Sequence, residues 1–162
     1  MQRRKATPEE AAALASAVRL RIIRLTYRDA LTNKEIAARL DKDPATTLHH
    51  VRKLVATGFL QPQPARTGNR GAREIPYLST GLSWQLDGAA RPLATSEAML
   101  QAYLGEVADV GPDEVEQTRL IVKIDPEELK RRLYALIEEL AASPADPDAP
   151  GTAIYLAVYP GD

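Results

Sequence analysis

Residues 31–60, LTNKEIAARLDKDPATTLHHVRKLVATGFL, constrain the fold more than any other stretch. Thr32 and Glu35 stand three apart, the spacing at which two side chains satisfy each other's backbone N–H groups at a helix start. Ile36, Ala37 and Leu40 then give one apolar face of a short helix. Asp41-Lys42-Asp43 breaks it. Asp43 can cap a second helix, with Pro44 at its first position. That helix runs to Ala56 or Thr57, because Gly58 suits the left-handed residue that ends helices. The stretch therefore predicts two short helices joined by a tight turn.

Phase separates the faces of the second helix, at about 100° per residue. Leu48, Val51, Leu54 and Val55 cluster on one side. His49 points roughly opposite, with Ala45, Thr46 and Lys53. His50 and Arg52 lie on the borders. His49 and His50 are the only histidines in the chain, and adjacent helical residues diverge too far to chelate one ion together. The outward stripe is small and polar first, then imidazole, then cationic.

The flanking segments extend the pattern. Thr7-Pro8-Glu9-Glu10 starts a helix, and apolar residues from Leu14 to Leu25 carry it to about Arg28, with a bend near Ser16. After Gly58, Phe59-Leu60-Gln61 begins a strand whose Pro62 and Pro64 suit a sheet edge. Residues 66–73 form a Gly-rich basic turn, and residues 74–80 a returning strand. Arg66, Arg70 and Arg73 sit in this loop. A connector holding Trp84 leads to a helix from about Thr95 to Gly111. Residues 118–124 predict a strand. Asp125-Pro126 caps an amphipathic helix with Leu129, Leu133, Leu136, Ile137 and Leu140 on one face. Residues 152–160 predict a closing strand.

Charge divides the chain in the same place. Residues 1–91 hold 16 Lys/Arg against 8 Asp/Glu, and residues 92–162 hold 5 against 14. The front can meet a polyanion and the rear cannot. No cysteine is present, so disulfides and thiolate metal sites are excluded. No metal site or cofactor is expected. No apolar run approaches the roughly 18 residues of a membrane span, and no signal-type apolar region follows the basic N-terminus. A cytoplasmic location is the expectation. No nucleophile elbow, phosphate loop or nucleotide fingerprint marks an enzyme.

The expected fold class is α+β. A winged helix-turn-helix DNA-binding domain over residues 1–90 precedes residues 91–162, a dimerisation helix with a small strand-helix-strand module. An α-helix fits the DNA major groove, where base edges show a distinct donor and acceptor pattern. A flexible Arg/Gly loop beside it can reach phosphates or the minor groove. The expected DNA contacts are Lys34, Ala45, Thr46, Thr47, His49, His50, Arg52, Lys53, Arg66, Arg70 and Arg73.

Residues 14–87 resemble the DNA-binding domain of ArsR-type winged-helix transcriptional regulators. The resemblance rests on residues 14–25, 31–60 and 68–80, and on His49-His50 followed by the aliphatic Val51. It implies a homodimeric repressor of a pseudo-palindromic operator in double-stranded DNA. The family's metal sensors use cysteines that this chain lacks, so the resemblance does not extend to metal sensing. The competing reading makes the basic face a docking site for an acidic protein partner. For the rear, a purely structural dimer module competes with a small-molecule effector pocket lined by Trp84, Tyr103, Tyr134 and Tyr155.

Overall fold

The first four helices each start where a side chain accepts from a backbone N–H of the first turn. The computed structural model describes residues 3–68, 71–86, 92–143, 149 and 151–160. Helix α1 (Pro8–Leu14) carries a capping box between Thr7 and Glu10. Helix α2 (Ala17–Leu25) follows at once, capped by Ser16. The single bent helix expected over this region is therefore two helices. The break is stable because both new ends find partners. Ser16 accepts from the Arg19 N–H, and the Arg19 guanidinium donates to the last carbonyls of α1, Ala13 at 2.5 Å and Ala12 at 2.8 Å. Helix α2 also stops short of Arg28. There the buried Thr26 hydroxyl donates to the Ile22 carbonyl at 2.8 Å.

Strand β1 (Leu31–Thr32) leads into helix α3 (Asn33–Arg39), and helix α4 (Pro44–Ala56) follows. The turn between the helices runs through Asp41, at φ 49°. Aspartate tolerates that left-handed conformation better than most residues. The Lys42 N–H reaches back to Ala37 at 3.0 Å and closes the end of α3. Gly58 ends α4 as expected, at φ 77°. The N–H groups of Gly58 and Phe59 bond the carbonyls of Val55 and Leu54, the double closure of a Schellman turn.

The wing is built in two layers of pairing. Strands β2 (Leu60–Pro62) and β5 (Pro76–Ser79) pair antiparallel, and β1 adds to the other edge of β5. Further out, β3 (Arg66–Thr67) pairs with β4 (Arg73–Glu74), with Arg66 opposite Glu74 and Thr67 opposite Arg73. Pro62 and Pro64 shorten the inner ladder, because proline has no N–H to give. Sequence reading did not foresee β1, whose two residues are too few to show a period, nor the outer β3–β4 pair and the short helix at Leu82–Gln85.

Helix α5 (Leu82–Gln85) and helix α6 (Leu93–Val110) complete the front. The N-terminal arm lies alongside, with the Arg4 N–H bonded to the Gln85 carbonyl at 3.0 Å. Ala13, Ile22, Ile36, Val51, Leu54 and Phe59 meet at the centre and are essentially sealed from water. Each large apolar side chain there contributes roughly 1.5–3 kcal/mol by burial. The result is a winged helix-turn-helix in an α+β fold.

Two compact units divide at Pro112 and Asp113. The expected boundary at 90/91 falls about 20 residues early, because α6 packs on α2 and belongs to the front. The rear unit contains helix α7 (Pro126–Ala142), capped by Asp125 as expected, and a 3-10 turn at Pro112–Glu114 leads towards it. Residues 118–124 and 152–159 are not strands. That corrects the strand-helix-strand expectation. A strand exists only through its ladder, and two strands alone are marginal in water. No described residue of the rear unit is buried. Among the described residues, no helix is long and apolar enough to cross a membrane.

Candidate nucleic-acid interface

Helix α4 is held rigidly on one side and open on the other. Its inner side buries Thr47, Val51 and Leu54, with Leu48 and Val55 half-buried. Its outer side exposes Ala45, Thr46, His49, Arg52 and Lys53. Thirteen residues give a rod of about 20 Å. Asp43 fixes its start by accepting from Ala45 N–H at 2.9 Å and Thr46 N–H at 3.0 Å. The Asn33 amide donates to the Pro44 carbonyl at 2.9 Å and ties the start of α3 to the start of α4. So both ties act at the start of α4.

Thr47 leaves the expected contact set. It is 0% exposed, and its hydroxyl donates to the Asp43 carbonyl at 2.9 Å. Helical phase puts it beside Thr46, yet one residue further round is already inside the core. His50 is half-buried on the border. Burial holds its pKa below the ordinary imidazole value, helped by the charges of Arg19, His49 and Lys42. Its ring meets that of His49 edge-on, with centroids 6.0 Å apart. The imidazoles thus splay apart, one outward and one inward. Among the described residues, His50 Nδ1 is buried without a hydrogen-bond partner.

The cations divide by what they touch. Lys34 on α3, Arg52 and Lys53 on α4 and Arg73 on β4 all have exposed side chains. Arg70 lies outside the described residues. Arg66 is exposed but engaged, donating to Glu35 Oε1 at 2.5 Å. The same carboxylate completes the capping box of α3. Its pKa is lowered, first by the Thr32 backbone N–H and further by the Thr32 hydroxyl and Arg66. The arginines of α2 look elsewhere. Arg21 pairs with Asp109, and Arg24 Nε reaches Glu106 at 3.2 Å. Burial raises the Glu106 pKa while these two arginines pull it down. These contacts brace α6, so the arginines act as struts within the fold.

Sequence reading missed Glu35 as a joint between wing and helices and Asn33 as a link between helices. Glu35 showed only its local capping role, because its second partner lies 31 positions away. The aromatic residues proposed for a pocket divide between the units. Trp84 and Tyr103 lie in the front, Tyr134 and Tyr155 in the rear. Arg3 covers the Trp84 ring at 4.3 Å.

Residues 14–63 match the family model of a helix-turn-helix domain. The match spans α2, β1, α3, α4 and β2, which include every element that builds the exposed face of α4. No curated protein matches the chain. Among solved structures, a similar chain is a double mutant of Lactococcus lactis ZitR in apo form. It is 21% identical, over 80% of this chain and 86% of that chain, with a TM-score of 0.35. Likeness at that level decides neither fold nor function.

Proposed function

We propose that this chain is a sequence-specific regulator of transcription that binds double-stranded DNA as a homodimer. The carrying observation is the two-sided α4, sealed into a core along one face and presenting Thr46, His49, Arg52 and Lys53 along the other. Thr46 and His49 have the hydrogen-bonding groups and position to read base edges, while Arg52 and Lys53 suit phosphates. The helix-turn-helix match over residues 14–63 supports this reading. Lys34 and Arg73 extend the cationic face, and Arg70 is assigned to it from the sequence alone. The resemblance to ArsR-type regulators favours repression and action in the cytoplasm. With no cysteine in the chain, thiolate metal sensing is not part of the proposal.

Helix α6 supports the dimer. It buries Thr95, Ala98 and Ala102 on one side and exposes Leu93, Leu100 and Leu104 on the other. Leu93, Leu100 and Val107 recur every seven residues, the repeat of a helix–helix seam. A two-fold partner on this seam gives a second reading helix, and half-sites about one helical turn apart.

Selection from a random duplex pool, followed by gel shifts between about 50 and 200 mM salt, tests the function. One enriched inverted repeat, bound by two chains with strong salt dependence, is the expected result. Absence of any shifted duplex at low salt overturns it. His49→Ala is expected to cost about 1–3 kcal/mol on the selected site and little on random duplex.

A further inference from the structure

Glu35 serves two elements at once. Its Oε2 accepts from the Thr32 N–H at 2.8 Å and from the Thr32 hydroxyl at 3.0 Å. Its Oε1 takes the Arg66 guanidinium at 2.5 Å. The first set starts α3. The second crosses to β3, in the outer pair of the wing. Both side chains of the pair stand in water, with Arg66 46% and Glu35 43% exposed. Lys34 is the next residue, and Asn33 ties the same turn to the start of α4. A carboxylate thus sits inside a cationic face, holding one of its arginines.

We propose that Glu35 holds Arg66 back from DNA phosphate until a duplex is seated correctly on α4, and so sets specificity rather than raw affinity. This rests on the DNA-binding reading above. Exposed ion pairs are weak, because water and salt screen them and both side chains give up freedom to pair. A phosphate in the right place can therefore take the guanidinium over. On an arbitrary duplex no phosphate is fixed beside β3, and the carboxylate keeps Arg66. Glu35 is then a positioning residue that acts through Arg66. Glutamine also serves at the third position of a capping box, so Glu35→Gln removes the charge while keeping the helix start.

The test uses the full chain, a mixed-sequence duplex and the duplex selected as described above, each titrated across salt. On the mixed duplex, Glu35→Gln is expected to bind several-fold tighter. Its log–log salt slope is expected to steepen by about 0.9, the signature of one further phosphate contact. Preference for the selected duplex falls. In an Arg66→Ala background the same substitution leaves the slope where it was. Arg66→Ala alone weakens the selected duplex and leaves the mixed-duplex slope unchanged, an arm that does not depend on Glu35→Gln folding. A slope that steepens in both backgrounds, or in neither, overturns the inference with DNA binding intact. Failure of the unmodified chain to bind either duplex overturns the function and the inference together.

Discussion

The two units carry similar helical patterns, and only one of them finds something to bury. In the front, α4 places Val51 and Leu54 at 0% exposure beneath Phe59 at 1%. In the rear, α7 has an apolar face at least as regular, yet Leu136 and Leu140 remain 53% and 52% exposed. Both helices begin the same way. Asp43 accepts from two backbone N–H groups ahead of Pro44-led α4, and Asp125 does so ahead of Pro126-led α7. Local chemistry therefore starts a helix equally well in both. What separates them is the surface opposite. Periodicity prepares a face for burial, and a neighbouring element must supply the burial itself.

The largest effect that tests this contrast is truncation of the front core. Phe59→Ala is expected to lower the stability of the front unit by about 3–5 kcal/mol in urea unfolding. Leu136→Ala is expected to leave that same transition where it is. Comparable shifts from the two would break the comparison.

Removing the shared cap sharpens it. Asp43→Ala should cost about 1 kcal/mol of cooperative front stability, with Asp43→Asn recovering most of the loss. Asp125→Ala loses the same local bonds but should register as reduced helical circular dichroism from α7, with the front transition unmoved.

The smallest expected effect concerns protons. His50 is half-buried, and no described residue of the rear is buried at all. Its folded pKa lies below the ordinary 6.5, first through burial and then through Arg19, His49 and Lys42. The unfolded chain therefore takes up this proton at higher pH than the folded one. The contribution is fully present above 6.5 and declines as pH falls below it towards the depressed value. Glu106, raised mainly by burial, acts in the opposite direction in the carboxylate range. Front-unit stability measured between neutral pH and about 5.5 should thus fall on acidification, and His50→Gln should flatten that fall. An unchanged slope in the variant would assign the protons elsewhere.

Much of the candidate interface was legible because it is written locally. The Thr32–Glu35 box, the Asp43 cap and the Gly58 stop fix where α3 and α4 begin and end, and each acts within a few residues. Helical phase then sorted His49 outward and His50 to the border. Phase was too coarse for Thr47, where a single step round the helix separates groove from core. Arg66 was read incompletely for a different reason. Its charge and loop context were plain, but its partner was not, because Glu35 meets it only after the wing has folded back. The strands expected at 118–124 and 152–159 failed on the same ground. Their composition suits a ladder, but composition does not provide the second strand.

The sequence by itself determined the starts of α1, α3, α4 and α7, the left-handed stop and two-sided character of α4, and the charge division between front and rear. These follow from short-range sterics and hydrogen bonds that each residue carries with it. Only the tertiary structure decided that Arg21 and Arg24 brace α6, and that a capping carboxylate also holds a wing arginine. Those outcomes depend on distances between residues far apart in the chain. The packing of a whole core sets such distances, and no local pattern encodes them.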